Sequence, residues 1–183
     1  MFVLWHSTRC LRPTHTDVGE LRSTQRTPAL QRSVALYLHL AESEAKEVFA
    51  LADKLDHFKH PLEAPVKVAF MGTKTFRFEE GAEKNEVKFN YTEDVNAQAL
   101  QDWFERMAES AEHRDNVERA AKYDHLGLVQ AVNLLASAYM RHRLVAVDQF
   151  LPILDRVAKN ETYMHSARAL AAEMAESIRK GQP

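Results

Sequence analysis

The stretch VKVAFMGTKTFRFEEGAEKNEVKFNY, Val66 to Tyr91, decides how this chain is read. Apolar and polar residues alternate through it in three short runs, whereas the sequence downstream carries helical spacing. Alternation puts Val66, Val68 and Phe70 on one face of a strand, with Lys67 and Ala69 opposite. Gly72 and Thr73 interrupt the pattern. Phe76 and Phe78 then share a face, opposite Thr75, Arg77 and Glu79. Val87, Phe89 and Tyr91 repeat the alternation with Lys88 and Asn90 outward. A polar loop, EEGAEKN, joins these last two runs. Together they predict an antiparallel hairpin with one apolar and one wet face, suited to a sheet covered by helices on one side.

Working outward, RSVALYLHL (Arg32 to Leu40) places Val34, Leu36, Leu38 and Leu40 at period two, which favours a strand. The competing reading is the start of a helix, because Ala and Leu are good helix formers. AESEAKEVFALADKLDHF follows as a helix, with Ser43 as N-cap, Glu44 and Glu47 near its positive end, and a stripe of Val48, Leu51, Ala52, Leu55 and Phe58. Pro61 and Pro65 bracket the turn that ends it. Beyond the hairpin, TEDVNAQALQDWFERMAES is a second helix, capped by Asp94 or Asn96 and striped by Leu100, Trp103, Phe104 and Met107. The charged segment AEHRDNVERAAKYDH either prolongs that helix or forms a hinge.

From Leu126 the pattern is helical to the end. Val129, Val132, Leu135, Ala136 and Tyr139 fit one helix. Leu144, Val147, Leu151, Leu154 and Val157 fit a second, with Pro152 as a potential kink. Tyr163, Ala167, Leu170, Ala171, Met174 and Ile178 fit a third. The expected fold class is therefore α+β with an α/β-like core: a small mixed sheet in β-α-β-β-β-α order, followed by a C-terminal bundle of three helices. The corresponding division is an N-terminal segment 1–32, an α/β domain 33–110 and a helical subdomain 111–183.

The 183 residues carry a formal net charge of −2, so the surface as a whole is no polycation. A single cysteine, Cys10, rules out an intramolecular disulfide or a thiolate metal cluster, and a reducing compartment fits best. No apolar run has the length that crosses a bilayer, so membrane insertion is not expected. Charge is unevenly placed: residues 1–32 hold Arg9, Arg12, Arg22, Arg26 and Arg32 against Asp17 and Glu20, have no Lys, and are rich in Ser and Thr. That is the composition of a mitochondrial transit peptide; the alternative is a basic arm that stays attached and pairs with RNA or an acidic partner. Matrix localisation is the expectation.

Catalytic chemistry finds little support. The five glycines are scattered, so there is no phosphate-cradling loop. There is no CxxC, and the position after the first strand reads LAESEAKE, without a thiol. His57 and His60 near Asp56 would share a face if the first helix ran on, as two metal ligands do; at a helix end His also suits the dipole, and that reading is preferred. Arg141 and Arg143, in RHR at an inter-helix turn, could bind phosphate or RNA backbone, or cap the carbonyl end of a helix. No catalytic residue, metal or cofactor is expected.

The span from Ser33 to Ala108 resembles the non-catalytic thioredoxin-like domain of several mitochondrial ribosomal proteins and of a small accessory subunit of respiratory complex I. The matching features are VALYLHL, the helix after it, APVKVAF, the hairpin KTFRFEEGAEKNEVKFNY and EDVNAQALQDWFERM. The resemblance implies a structural constituent of the mitochondrial ribosome, contacting other protein subunits and ribosomal RNA. Through the latter it adds weight to Arg9, Arg12, Arg22, Arg26, Arg32, Arg141 and Arg143 as contact residues. In the tail, LGLVQAVNLLASAYMRHRLVAVDQFLPIL is similar to a helical hairpin of tetratricopeptide or pentatricopeptide type. That implies the alternative role, an adaptor or accessory subunit of a respiratory or ATP synthase complex.

Overall fold

The hairpin forms as the alternation requires. In the computed structural model, which describes residues 2–6, 10–11, 19–20, 39–70 and 72–181, β5 (Lys74–Glu80) and β6 (Glu83–Phe89) pair antiparallel, with Phe76 opposite Val87 and Lys74 opposite Phe89. Gly81, at φ 56°, opens the two-residue turn between them, a conformation that glycine adopts without steric cost. Phe76, Phe78, Val87 and Phe89 are buried on one face. The other face carries cross-strand ion pairs, Arg77 with Glu86 at 3.1 Å and Lys84 with Glu79 at 3.9 Å.

Mixed helix and sheet is thus the fold class; two features of the expected sheet are corrected and another is described only in part. First, Val66–Phe70 is not a strand. All five residues are exposed, so alternation has no face to bury, and Phe70 is 78% exposed. Neighbouring groups are bound instead: the Glu63 carboxylate accepts the backbone N–H groups of Asn90 (2.6 Å) and Tyr91 (3.3 Å), and Ala64 N–H donates to the Tyr91 carbonyl. Second, of Val34–Leu40 only β4 (His39–Leu40) is described as a strand; it pairs antiparallel with β3 (Gly19–Glu20), and residues 34–38 lie outside the described residues. Third, every pairing among the described strands is antiparallel. β1 (Phe2–His6) lies along the free edge of β5, and β2 (Cys10–Leu11) lies beside β1.

Helix α1 spans Glu42–Lys54 and starts one residue before the expected Ser43 cap. The Glu44 side chain accepts the Ala41 N–H at 2.8 Å, satisfying a donor that the first turn leaves open. The helix stops at an unusual turn: Asp56, His57 and Phe58 all have positive φ, 47°, 51° and 64°. Left-handed backbone costs an L-residue about 1–2 kcal/mol. Side chains offset it here. Phe58 is buried against Phe76 at 5.3 Å, and the His57 ring stacks on Phe78 at 4.1 Å.

Helix α2 runs unbroken from Val95 to Tyr123, so the charged segment prolongs it and is no hinge. Asp94 is the cap, its Oδ1 accepting the N–H groups of Asn96 and Ala97 at 2.8 and 3.0 Å. The chain divides into two compact units, 1–108 and 109–183, with the boundary inside α2. In the first, Phe104 of α2 meets Phe76 at 5.9 Å. In the second, α3 (Gly127–Met140), α4 (Leu151–Lys159) and α5 (His165–Lys180) share a core with the last turns of α2, through Val117, Ala120 and Ala121. The last turns of α2 and the 3-10 turn Val147–Phe150, through Phe150, thus join the three α-helices in that core, and the expected second helix is shorter than its stripe, since Leu144 and Val147 precede α4. Pro152 sits in the first turn of α4, where it needs no N–H donor, and kinks nothing.

Phe76 touches three other rings and is fully buried. Phe76→Ala is expected to cost about 3–5 kcal/mol, and Lys84→Ala, on the wet face, no more than ~0.5 kcal/mol. Urea denaturation followed by circular dichroism checks both.

Candidate functional site

Among the described residues two clusters of titratable side chains bear on the expected sites, one in each unit. The first surrounds the left-handed turn. His57 Nε2 lies 2.8 Å from Asp53 Oδ1, and its ring packs on Phe78. His60 Nε2 lies 3.2 Å from Asp56 Oδ2, and Lys59 reaches Glu83 on β6 at 3.2 Å. The hydrogen bond from Lys59 holds the Glu83 carboxyl below the usual range. The two histidines each have a carboxylate of their own. The left-handed turn between them replaces the continuous helix on which they would share a face. Among the described residues no group of three or more His, Cys, Asp or Glu is placed to hold a metal ion. What the cluster does is tie the end of α1 to the hairpin.

The second cluster surrounds the turn after α3. Arg141 closes that helix, its Nε donating to the Ser137 carbonyl at 3.2 Å. This is the capping arrangement, favoured where helix carbonyls lack partners. Arg143 Nε donates to Glu109 Oε2 at 3.0 Å, so its guanidinium is engaged by α2. The fully buried Ser110 hydroxyl accepts the Val145 N–H at 2.9 Å. His142 and Ala146 take positive φ, 54° and 51°, as the loop bends to make these contacts. His113, one turn further along α2, lies 3.8 Å from Glu109.

Arg141 and Arg143 are thus held by the helices around them. Arg9, Arg12, Arg22, Arg26 and Arg32 lie outside the described residues. In the sequence Ser110 and His113 are two polar positions of α2 among many; in the structure Ser110 holds this loop and His113 faces Glu109. No protein-family model, no characterised protein and no solved structure matches the chain. Among the described residues no helix is long and apolar enough to cross a membrane.

Burial pushes the His113 imidazole below its ordinary value of 6.5; the carboxylates of Glu109 and Glu112 oppose this, and Arg141 adds to it. The folded protein therefore holds His113 neutral at pH values where the unfolded chain already takes up a proton. Its contribution to stability is complete above pH 6.5 and is lost as the pH falls from there towards the folded-state value. His113→Gln should flatten the fall in stability below pH 6.5, measured by urea denaturation across a pH series.

Proposed function

We propose that the chain is a non-catalytic structural subunit of a mitochondrial ribosome, seated mainly by protein neighbours. The observation that supports this most is the run Val66–Phe70. Five consecutive residues, three of them large and apolar, are exposed beside a well-packed hairpin. Exposed apolar clusters of this kind mark surfaces that a partner covers. Their alternation also suits pairing with a strand supplied by a neighbour.

In this reading α1, the β5–β6 hairpin and α2 are the remnant of a thioredoxin-like domain, and the three C-terminal helices are a bundle appended to it. Charge apportions the contacts. Residues 40–108 carry nine Lys or Arg against fourteen Asp or Glu, and residues 109–183 carry ten of each. Both stretches face proteins, and contact with ribosomal RNA falls to the N-terminal arginines. The transit-like composition of residues 1–32 supports the matrix as the compartment.

The acidity of residues 40–108 favours a second reading, an accessory or adaptor subunit of a respiratory or ATP synthase complex, which holds no RNA. Affinity isolation of the tagged full chain from mitochondria separates the two. Recovery with ribosomal particles, lost after ribonuclease treatment, is the expected result; unchanged recovery with a membrane complex after ribonuclease would select the second reading. Replacing Arg9, Arg12, Arg22 and Arg26 together with Ala should reduce import or incorporation, scored by fractionation and gradient sedimentation.

A further inference from the structure

The loop after α3, Arg141–Ala146, is clamped to α2 at two neighbouring points. The Ser110 hydroxyl accepts the Val145 N–H at 2.9 Å, and Glu109 Oε2 accepts from Arg143 Nε at 3.0 Å. On either side of these contacts His142 and Ala146 hold left-handed backbone, φ 54° and 51°, and the loop has no glycine to ease it. Strained backbone of this kind persists only while surrounding contacts enforce it. The contacts with α2 are what keep the loop in its closed form.

Glu109 serves a second group. Its other oxygen, Oε1, lies 3.8 Å from His113 Nε2, and the His113 side chain is 16% exposed. While the imidazole is neutral, the single negative charge of Glu109 faces one cation, Arg143. A proton on His113 sets two cations on one carboxylate. Among the described residues the charged groups that face His113 divide by element. Glu109 and Glu112, which attract the proton, belong to α2 itself; Arg141, which repels it, belongs to the loop, as does Arg143 beyond Glu109. Departure of the loop therefore removes cations and leaves carboxylates. In the closed form burial, with Arg141 adding to it, outweighs the two carboxylates and holds the imidazole below its ordinary value.

We propose that the Arg141–Ala146 loop is a proton-sensitive latch, closed on α2 while His113 is neutral and opened when His113 takes up a proton and draws Glu109 from Arg143. Opening is linked to proton uptake, so acid favours the open form. It brings Leu144 and Val145, both buried when the latch is closed, to the surface. The latch concerns this loop and α2 alone and stands apart from the ribosomal reading.

Hydrogen exchange of the Val145 amide in the full chain reads the latch directly, because a buried hydroxyl holds that N–H. After correction for the intrinsic pH dependence of exchange, its protection is expected to fall below pH 6.5 by up to about tenfold per pH unit, the slope of one proton. It should be insensitive to low urea, since local opening exposes little surface, whereas the amides of Leu154 and Ile178 in the core exchange more slowly and respond to urea. His113→Gln should flatten the fall at Val145. His142→Asn, which removes the loop's own histidine and tolerates its left-handed backbone, should leave the slope unchanged. Arg141→Gln, at an exposed position, should raise the pH at which the His113 imidazole titrates, followed by NMR, because it removes the cation that opposes the proton. The proposal is overturned by Val145 protection that is flat with pH, by Val145 exchanging together with Leu154, or by a slope that survives His113→Gln or disappears in His142→Asn. A His113 titration unmoved by Arg141→Gln would overturn it as well.

Discussion

The Phe76 ring is the constraint on which the first unit depends. It stands at the middle of β5, and the rings of Phe58, Phe89 and Phe104 approach it to within 5.0–5.9 Å. Those three come from the turn after α1, from the paired strand β6 and from α2. One side chain thus fixes a helix end, a strand register and a long helix against each other. The register follows, because a slip of one residue would turn Phe76 and Phe78 into water and Arg77 into the core. Charge pairs on the opposite face confirm the choice of face and add little energy, being exposed.

Polar anchors do the corresponding work where the chain has no regular structure. Glu63 accepts two successive backbone N–H groups at the end of β6, and Ser110 accepts one from the loop after α3. In both cases one short side chain satisfies peptide groups that a strand or helix would otherwise pair. The segments beside these anchors are therefore positioned without ladder hydrogen bonds. Val66–Phe70 accordingly keeps a strand's sequence and not its pairing: Ala64 just before it bonds to Tyr91, and within it the Ala69 carbonyl accepts from the Asn90 side chain.

Much of the architecture is legible in the residues. The alternation in TFRF and VKF gives the hairpin and its buried face, Asp94 gives the start of α2, and the stripes after Leu126 locate the C-terminal helices. The misreadings share a cause. Val66–Phe70 has a strand's pattern but nothing for that pattern to bury against, which only tertiary structure decides. Ser43 looks like a cap, yet Glu44 reaches back to Ala41 and starts the helix earlier. Arg143 pairs with Glu109, thirty-four residues away in sequence, a partner that no local pattern reveals.

The left-handed turn at Asp56–Phe58 bears on the order in which the structure can form. Nothing in the local sequence makes three consecutive positive φ angles favourable, and no glycine eases them. The contacts that offset them, Phe58 on Phe76 and His57 on Phe78, exist only after β5 is in place. A peptide of residues 41–60 alone would have no reason to reverse its hand at Asp56 and would run on or fray as an ordinary right-handed helix end. The stop signal of α1 is thus written in the hairpin some twenty residues downstream, and α1 acquires its final length only when the sheet does.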